Sequence, residues 1–110
     1  MANKKQLEIL KKGVRAWNKW RIKNRPVIDL SGANLSGIDL GSHDVFTHLD
    51  VHHGDLSKSD FSHADLGGAV LVNTDLMDCN FQGASLSGCD LWGANLDGAN
   101  LRDALLYDTD

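Results

Sequence analysis

A large apolar residue returns at every fifth position through most of this chain. The stretch CDLWGANLDGANLRDALL shows the rule in Leu91, Leu96, Leu101 and Leu106. An α-helix turns about 100° per residue, so five residues advance about 140° and the leucines would spiral around its surface. A strand alternates its side chains with a period of two, which sends residues five apart to opposite faces. A backbone that gathers these leucines must therefore turn a corner in every unit of five.

The pattern starts at Leu30, Leu35 and Leu40 and resumes one residue late at Phe46. It then continues through Val51, Leu56, Phe61, Leu66, Leu71, Leu76, Phe81, Leu86, Leu91, Leu96, Leu101 and Leu106, sixteen units in all. The slip falls in GSHDVF, residues 41–46, and reads as one unit with an extra residue. Internal repetition on this scale is the mark of a solenoid. Two residues before most centres the side chain is small, as in Ala33, Ser59, Ala64, Ala69, Thr74, Cys79, Ala84 and Cys89. One residue before, it is usually Asp or Asn. If each unit is one side of a coil, the centre and the small residue point to the axis, where space is short, and Asp or Asn faces water and bonds the turn backbone. Gly at the last position, as in Gly83, Gly88, Gly93 and Gly98, suits a corner that needs unusual backbone angles.

The units ANLSG, ADLGG, ANLDG and ANLRD match the consensus A(D/N)LXX, and over residues 28–110 the chain resembles the pentapeptide-repeat family. That resemblance implies an all-β solenoid, a right-handed quadrilateral β-helix. Sixteen units at four per turn predict about four coils. Leu30, Val51, Leu71 and Leu91 would stack on one side, and Leu40, Phe61, Phe81 and Leu101 on another, with two phenylalanine rings adjacent.

Residues 1–26 have a different composition and are expected to form an N-terminal amphipathic capping helix, leaving 27–110 as the β-helix. Asn3 is placed to cap the helix, with Gln6 three residues on, and Pro26 stops it near Asn24. Leu7, Leu10, Val14 and Trp17 share one arc at helical spacing. The open end of a β-helix exposes apolar side chains and unpaired backbone groups, so a helix directly before the first coil is well placed to cover them. Family members with a segment like GVRAWNKWR before the first repeat use it in that way.

Charge divides at the same boundary: residues 1–26 carry a net +8 and residues 27–110 a net −12. A basic amphipathic helix is able to bind nucleic acid or an anionic membrane. Here its apolar face is needed as a cap and its basic face rests near the acidic rod, so neither direct nucleic-acid binding nor membrane binding is expected. No apolar run reaches the length of a membrane span and no secretory signal is visible, which points to the cytoplasm. The acidic rod also suggests the alternative that the resemblance carries, a DNA-mimic regulator of a type II topoisomerase such as gyrase. Those relatives are longer rods, and Asp at the outward position is simply what the repeat prefers.

No nucleophile stands with a base at a recognisable spacing and no phosphate loop follows a strand, so the chain reads as non-enzymatic and without a cofactor. His43, His48, His52 and His53 with Asp44 and Asp50 form the one conceivable metal constellation, but on a coil they fall at different corners and faces and are read as solvated. Cys79 and Cys89 occupy inward positions and are read as buried thiols. What remains is a protein-interaction or scaffold module. Val70, Val72 and Trp92 place apolar side chains outward on one side, with His52 one coil before Val72, and are the candidate protein-binding surface. At the C-terminal coil, Leu105 replaces the usual Asp beside Leu106 and Tyr107, which marks a candidate end for a weak homodimer.

Overall fold

The repeat closes into a four-sided β-helix in the computed structural model, which describes residues 2–41 and 54–110. Each unit contributes one short parallel bridge to the turn above. Asp55 pairs with Asp75, Asp60 with Asn80, Asp65 with Ser85 and Val70 with Asp90, all twenty positions apart, so four units of five make one turn. Within each rung the centre residue donates upward and its predecessor donates downward: the Leu76 N–H reaches the Asn95 carbonyl at 2.9 Å, and the Asp75 N–H reaches the Gly54 carbonyl at 2.9 Å.

The first turn departs from the expected register. Asp29 pairs with Asp60, Asn34 with Asp65 and Asp39 with Val70, each 31 positions apart, eleven more than elsewhere. Leu30 therefore stacks below Phe61, and Leu40 below Leu71. The expected columns joining Leu30 to Val51 and Leu40 to Phe61 do not form. Leu40 and Leu56 occupy neighbouring sides of the same turn, whose described residues end at Gly41 and resume at Gly54. A Cβ on Gly54 would lie 3.6 Å from the Leu40 carbonyl oxygen. The unit with one extra residue expected in GSHDVF, and the centres Phe46 and Val51, lie outside the described residues. Fourteen of the expected centres remain, in columns headed by Leu30, Leu35, Leu40 and Leu56.

The inward positions carry the core. Leu30, Leu35, Leu40, Leu56, Phe61, Leu66, Leu71, Leu76, Phe81 and Leu86 are buried, and so are the small residues between them, from Ala33 to Cys89. Phe61 and Phe81 stack with centroids 5.2 Å apart and planes 5° from parallel, the expected ring pair, on Leu30 instead of Leu40. Asp and Asn earn their place at the corners, where the carboxylate or amide oxygen accepts from the N–H two residues on. Gly67 to Asp65 is 2.9 Å, and Asp97 to Asn95 is 3.0 Å. The residue that completes the corner has a positive φ, +74° at Gly98 and +57° at Asp78. An L side chain pays about 1–2 kcal/mol to adopt that conformation, which explains the Gly, Asn and Asp found there.

Two helices, not one, precede the coil: α1, Lys4–Lys11, and α2, Val14–Lys23. Asn3 caps α1 as expected, its side chain accepting from the Gln6 N–H at 3.1 Å. The break falls at Gly13, whose φ of +108° no helix contains. It lets each helix address a different side of the first turn. Leu10 and Trp17 are fully buried against the leucine columns, while Leu7 and Val14 are half-buried.

The cap also replaces the hydrogen bonds of a missing turn. On the side of Asp29, the Asn3 N–H donates to the Asp29 carbonyl at 2.7 Å. The Gln6 carboxamide beside it accepts from the Asp29 N–H and donates to the Val27 carbonyl, both at 2.9 Å. On the side of Asp55, Asn18 accepts from the Asp55 N–H at 2.9 Å, and the Trp17 indole donates to the Asp55 carbonyl at 2.7 Å. Arg21 donates to the Ser57 carbonyl at 3.2 Å. Side chains on helices thereby present the donors and acceptors of a strand, which closes an edge that would otherwise be open to another chain.

Candidate interaction surfaces

The side that carries Val70 begins with Asp39 below it and continues with Asp90 above it. Val72 follows at the corner, half-buried like Val70, and Trp92 stands one turn higher with 69% of its surface exposed. The fold thus brings these three residues to one side. Below Val72 it places Gly41 where His52 was expected: a Cβ on Gly41 would sit 3.3 Å from the Val72 Cβ and 3.0 Å from a Val70 methyl carbon. The shifted register of the first turn is the reason. Because Gly41 has no side chain, the two valines come up against backbone, and the apolar surface narrows toward the cap.

At the opposite end from the cap, Leu105 bridges to Ser85 and is half exposed. Leu106 tops the column of Leu35, Leu66 and Leu86 and is 47% exposed, and Tyr107 is 73% exposed. The tail runs on along the coil path instead of folding over the rim. The Asp110 N–H donates to the Cys89 carbonyl, the Leu91 N–H donates to the Asp110 carbonyl, and the Thr109 hydroxyl reaches the Leu86 carbonyl at 2.7 Å. Leu105, Leu106 and Tyr107 are thereby held on ordered backbone as a small apolar rim.

Both thiols face inward. Burial pushes Cys79 up to about 12 and Cys89 up to about 11, far from the range of a nucleophilic or metal-binding thiolate. The Cys79 sulfur lies 2.9 Å from the Leu56 carbonyl oxygen. Among the described residues no group of three or more His, Cys, Asp or Glu is placed to hold a metal ion, and His43, His48, His52 and His53 lie outside those residues. No helix among the described residues is long and apolar enough to cross a membrane.

Asn18 and Arg21 were not singled out by the sequence, and Gln6 was read only as part of the Asn3 cap. Gln6 and Arg21 are buried, and each stands four residues from a buried apolar side chain, Leu10 and Trp17 respectively. Helical spacing therefore places them on the buried face, where their polar character hides them from a reading based on apolar residues alone. Arg21 lies 3.9 Å from the Asp55 carboxylate, which Arg25 approaches at 2.9 Å. Burial opposes the ionisation of Asp55, but the hydrogen bonds from Ser57 and Arg25 and the two guanidinium charges outweigh it and hold the carboxyl below its ordinary value.

The model of the Pentapeptide repeats family matches residues 55–93 and 84–110, in eight copies. No curated protein matches the chain. Among solved structures, a pentapeptide repeat protein from Nostoc PCC 7120 is 30% identical, over 84% of this chain and 74% of that one, with a TM-score of 0.47. A pentapeptide repeat protein from the cyanobacterium Cyanothece 51142 is 23% identical over 84% of this chain and 92% of its own, with a TM-score of 0.28. HetL from Nostoc sp. strain PCC 7120, a pentapeptide repeat protein involved in heterocyst differentiation regulation, is 26% identical over 71% of this chain and 38% of its own length, with a TM-score of 0.22.

Proposed function

Because this chain belongs to the pentapeptide-repeat family, we propose that it is a non-enzymatic scaffold that binds proteins and pairs with a second copy of itself through its C-terminal rim. The observation that supports this reading is the rim itself. Leu105, Leu106 and Tyr107 are exposed on backbone fixed by the last rungs, whereas the cap end is closed by the helices. Two identical rims brought together about a two-fold axis cover each other and leave no further surface to extend. A narrow rod buries little at its end, below the roughly 1,200 Å² total of stable complexes, so the pair dissociates on dilution. The side bearing Val70, Val72 and Trp92 is then free for a different protein partner, in the cytoplasm.

The DNA-mimic alternative gains nothing from the ladder composition. An acidic column is interrupted on every side: the ladder from Asp29 ends in Asn80 and Asn100, that from Asn34 in Ser85 and Leu105, that from Asp39 contains Val70, and that from Asp55 ends in Asn95. Light scattering over a dilution series tests the scaffold reading. It should show a dimer that Leu105→Lys combined with Tyr107→Lys converts to a folded monomer, and a concentration-independent native monomer would overturn the pairing.

A further inference from the structure

A cleft of about 470 Å³ opens between the end of α2 and the first turn, bordered by Arg21, Arg25, Lys58 and Ser57 with Pro26 and Val27 as an apolar wall. Three cationic side chains meet there in a protein whose net charge is −4, and Asp55 is the carboxylate that answers them. Arg25 takes the short contact with it and Arg21 the long one, while Lys58 forms no ion pair among the described residues. Arg21 is the unusual member. It is 95% buried, one of its terminal N–H groups serves the Ser57 carbonyl, and its buried Nε has no partner among the described residues. Burial lowers its pKa, against the opposing pull of Asp55, which marks a guanidinium short of compensating charge.

Lys58 adds a second sign of selection for charge at this place. It holds a left-handed corner, φ +61°, where every other described positive-φ position carries Gly, Asn, Asp or His. A long side chain at such a corner is disfavoured by local sterics, and here it belongs to a residue that lines the cleft. The excess of two positive charges, the planar forks of two arginines and the single lysine suit an oxyanion of charge −2.

We propose that this cleft binds a phosphate group, with Arg25 and Lys58 contacting its oxygens and Arg21 supplying the buried charge behind them. This site is separate from the C-terminal rim and does not depend on pairing there. The phosphate is either the free ion or a phosphomonoester whose organic part lies on Pro26 and Val27.

Calorimetric titration of the full chain at constant ionic strength, with inorganic phosphate and with phenyl phosphate, tests the site and separates the two sources. Tighter binding of phenyl phosphate assigns a phosphomonoester, and equal affinities assign the free ion. Loss of one charge-assisted contact in Lys58→Gln or Arg25→Gln should weaken either probe about tenfold. Lys5→Gln on the exposed face of α1, away from the cleft, should leave affinity within about twofold, as expected for a screened surface charge. Circular dichroism confirms that each variant is folded. No binding of either probe at tens of millimolar, an unchanged affinity in Lys58→Gln, or an equal loss in Lys5→Gln would each overturn the proposal, the last because it reveals diffuse attraction to the basic N-terminal segment.

Discussion

Gln6→Leu isolates the part of the cap that stands in for a strand. The native carboxamide is buried, accepts from the Asp29 N–H and donates to the Val27 carbonyl, each at 2.9 Å. Leucine keeps the volume and the helix propensity but removes both bonds. A hydrogen bond contributes about 0.5–1.5 kcal/mol net, and a buried partner left unsatisfied costs about 1–3 kcal/mol. Val27 is largely exposed, so water serves its carbonyl and the lower figure applies there. The Asp29 N–H is roofed by α1 and takes the higher one. The sum is about 2–3 kcal/mol, which for a domain near this size lowers the melting temperature by roughly 10–15 °C. Gln6→Glu gives a sharper contrast. Ionised, it still accepts from Asp29 but turns a carboxylate toward the Val27 carbonyl, so it should be at least as destabilised at neutral pH. Once protonated it regains a donor, and its deficit should shrink below about pH 4. Urea unfolding of the three proteins at pH 7 and pH 4 measures both effects. A Gln6→Leu protein within about 0.5 kcal/mol of the native chain would refute the idea that this side chain replaces a rung.

The corner glycines separate backbone strain from crowding: Gly68→Ala, with φ +66° and open space around it, should cost about 1 kcal/mol. Gly98→Ala, at φ +74°, would also drive its methyl into the Asp78 carboxylate and should cost at least about 1 kcal/mol more by denaturant unfolding. The thiols should resist a disulfide reagent at pH 8 until the chain unfolds. Their raised folded pKa values, about 12 and about 11 against an ordinary 9.0, give a contribution to stability that is full below pH 9 and is lost as pH rises toward those values. Cys79→Ala with Cys89→Ala should flatten that alkaline loss in unfolding curves from pH 8 to 10.5. Trp92→Ala should leave the melting temperature within a few degrees of the native value while removing a protein captured by the Val70 side, because Trp92 is already 69% exposed to water. Loss of stability with capture intact would make Trp92 a shield for the backbone beneath it.

The sequence by itself determined the repeat, its inward positions and its corners, because each of these is settled inside five residues. A centre such as Leu76 needs an apolar interior, Thr74 needs to be small enough to share it, and Asp75 accepts from the N–H two residues on without reference to any other coil. The buried face of the cap was legible for the same reason, through the spacing of Leu10 and Trp17. Which coil residues stack was not. Phe46 and Val51 keep the five-residue beat, so they read as two more sides, while the 31-residue pairing of Asp29, Asn34 and Asp39 places Leu40 and Leu56 on neighbouring sides of one turn. That choice rests on hydrogen bonds between distant residues, to which a local period is blind. The break at Gly13 was decided in the same way, since the apolar arc runs through it from Leu10 to Val14. Only the first turn, with rims at Asp29 and Asp55 to be closed on two different sides, requires two short helices in place of one. The Val70 surface and the cationic cleft follow from that register and that break, so they belong to the tertiary structure: Gly41 reaches Val72, and Arg21 reaches Ser57, only once the first turn and its cap are in place.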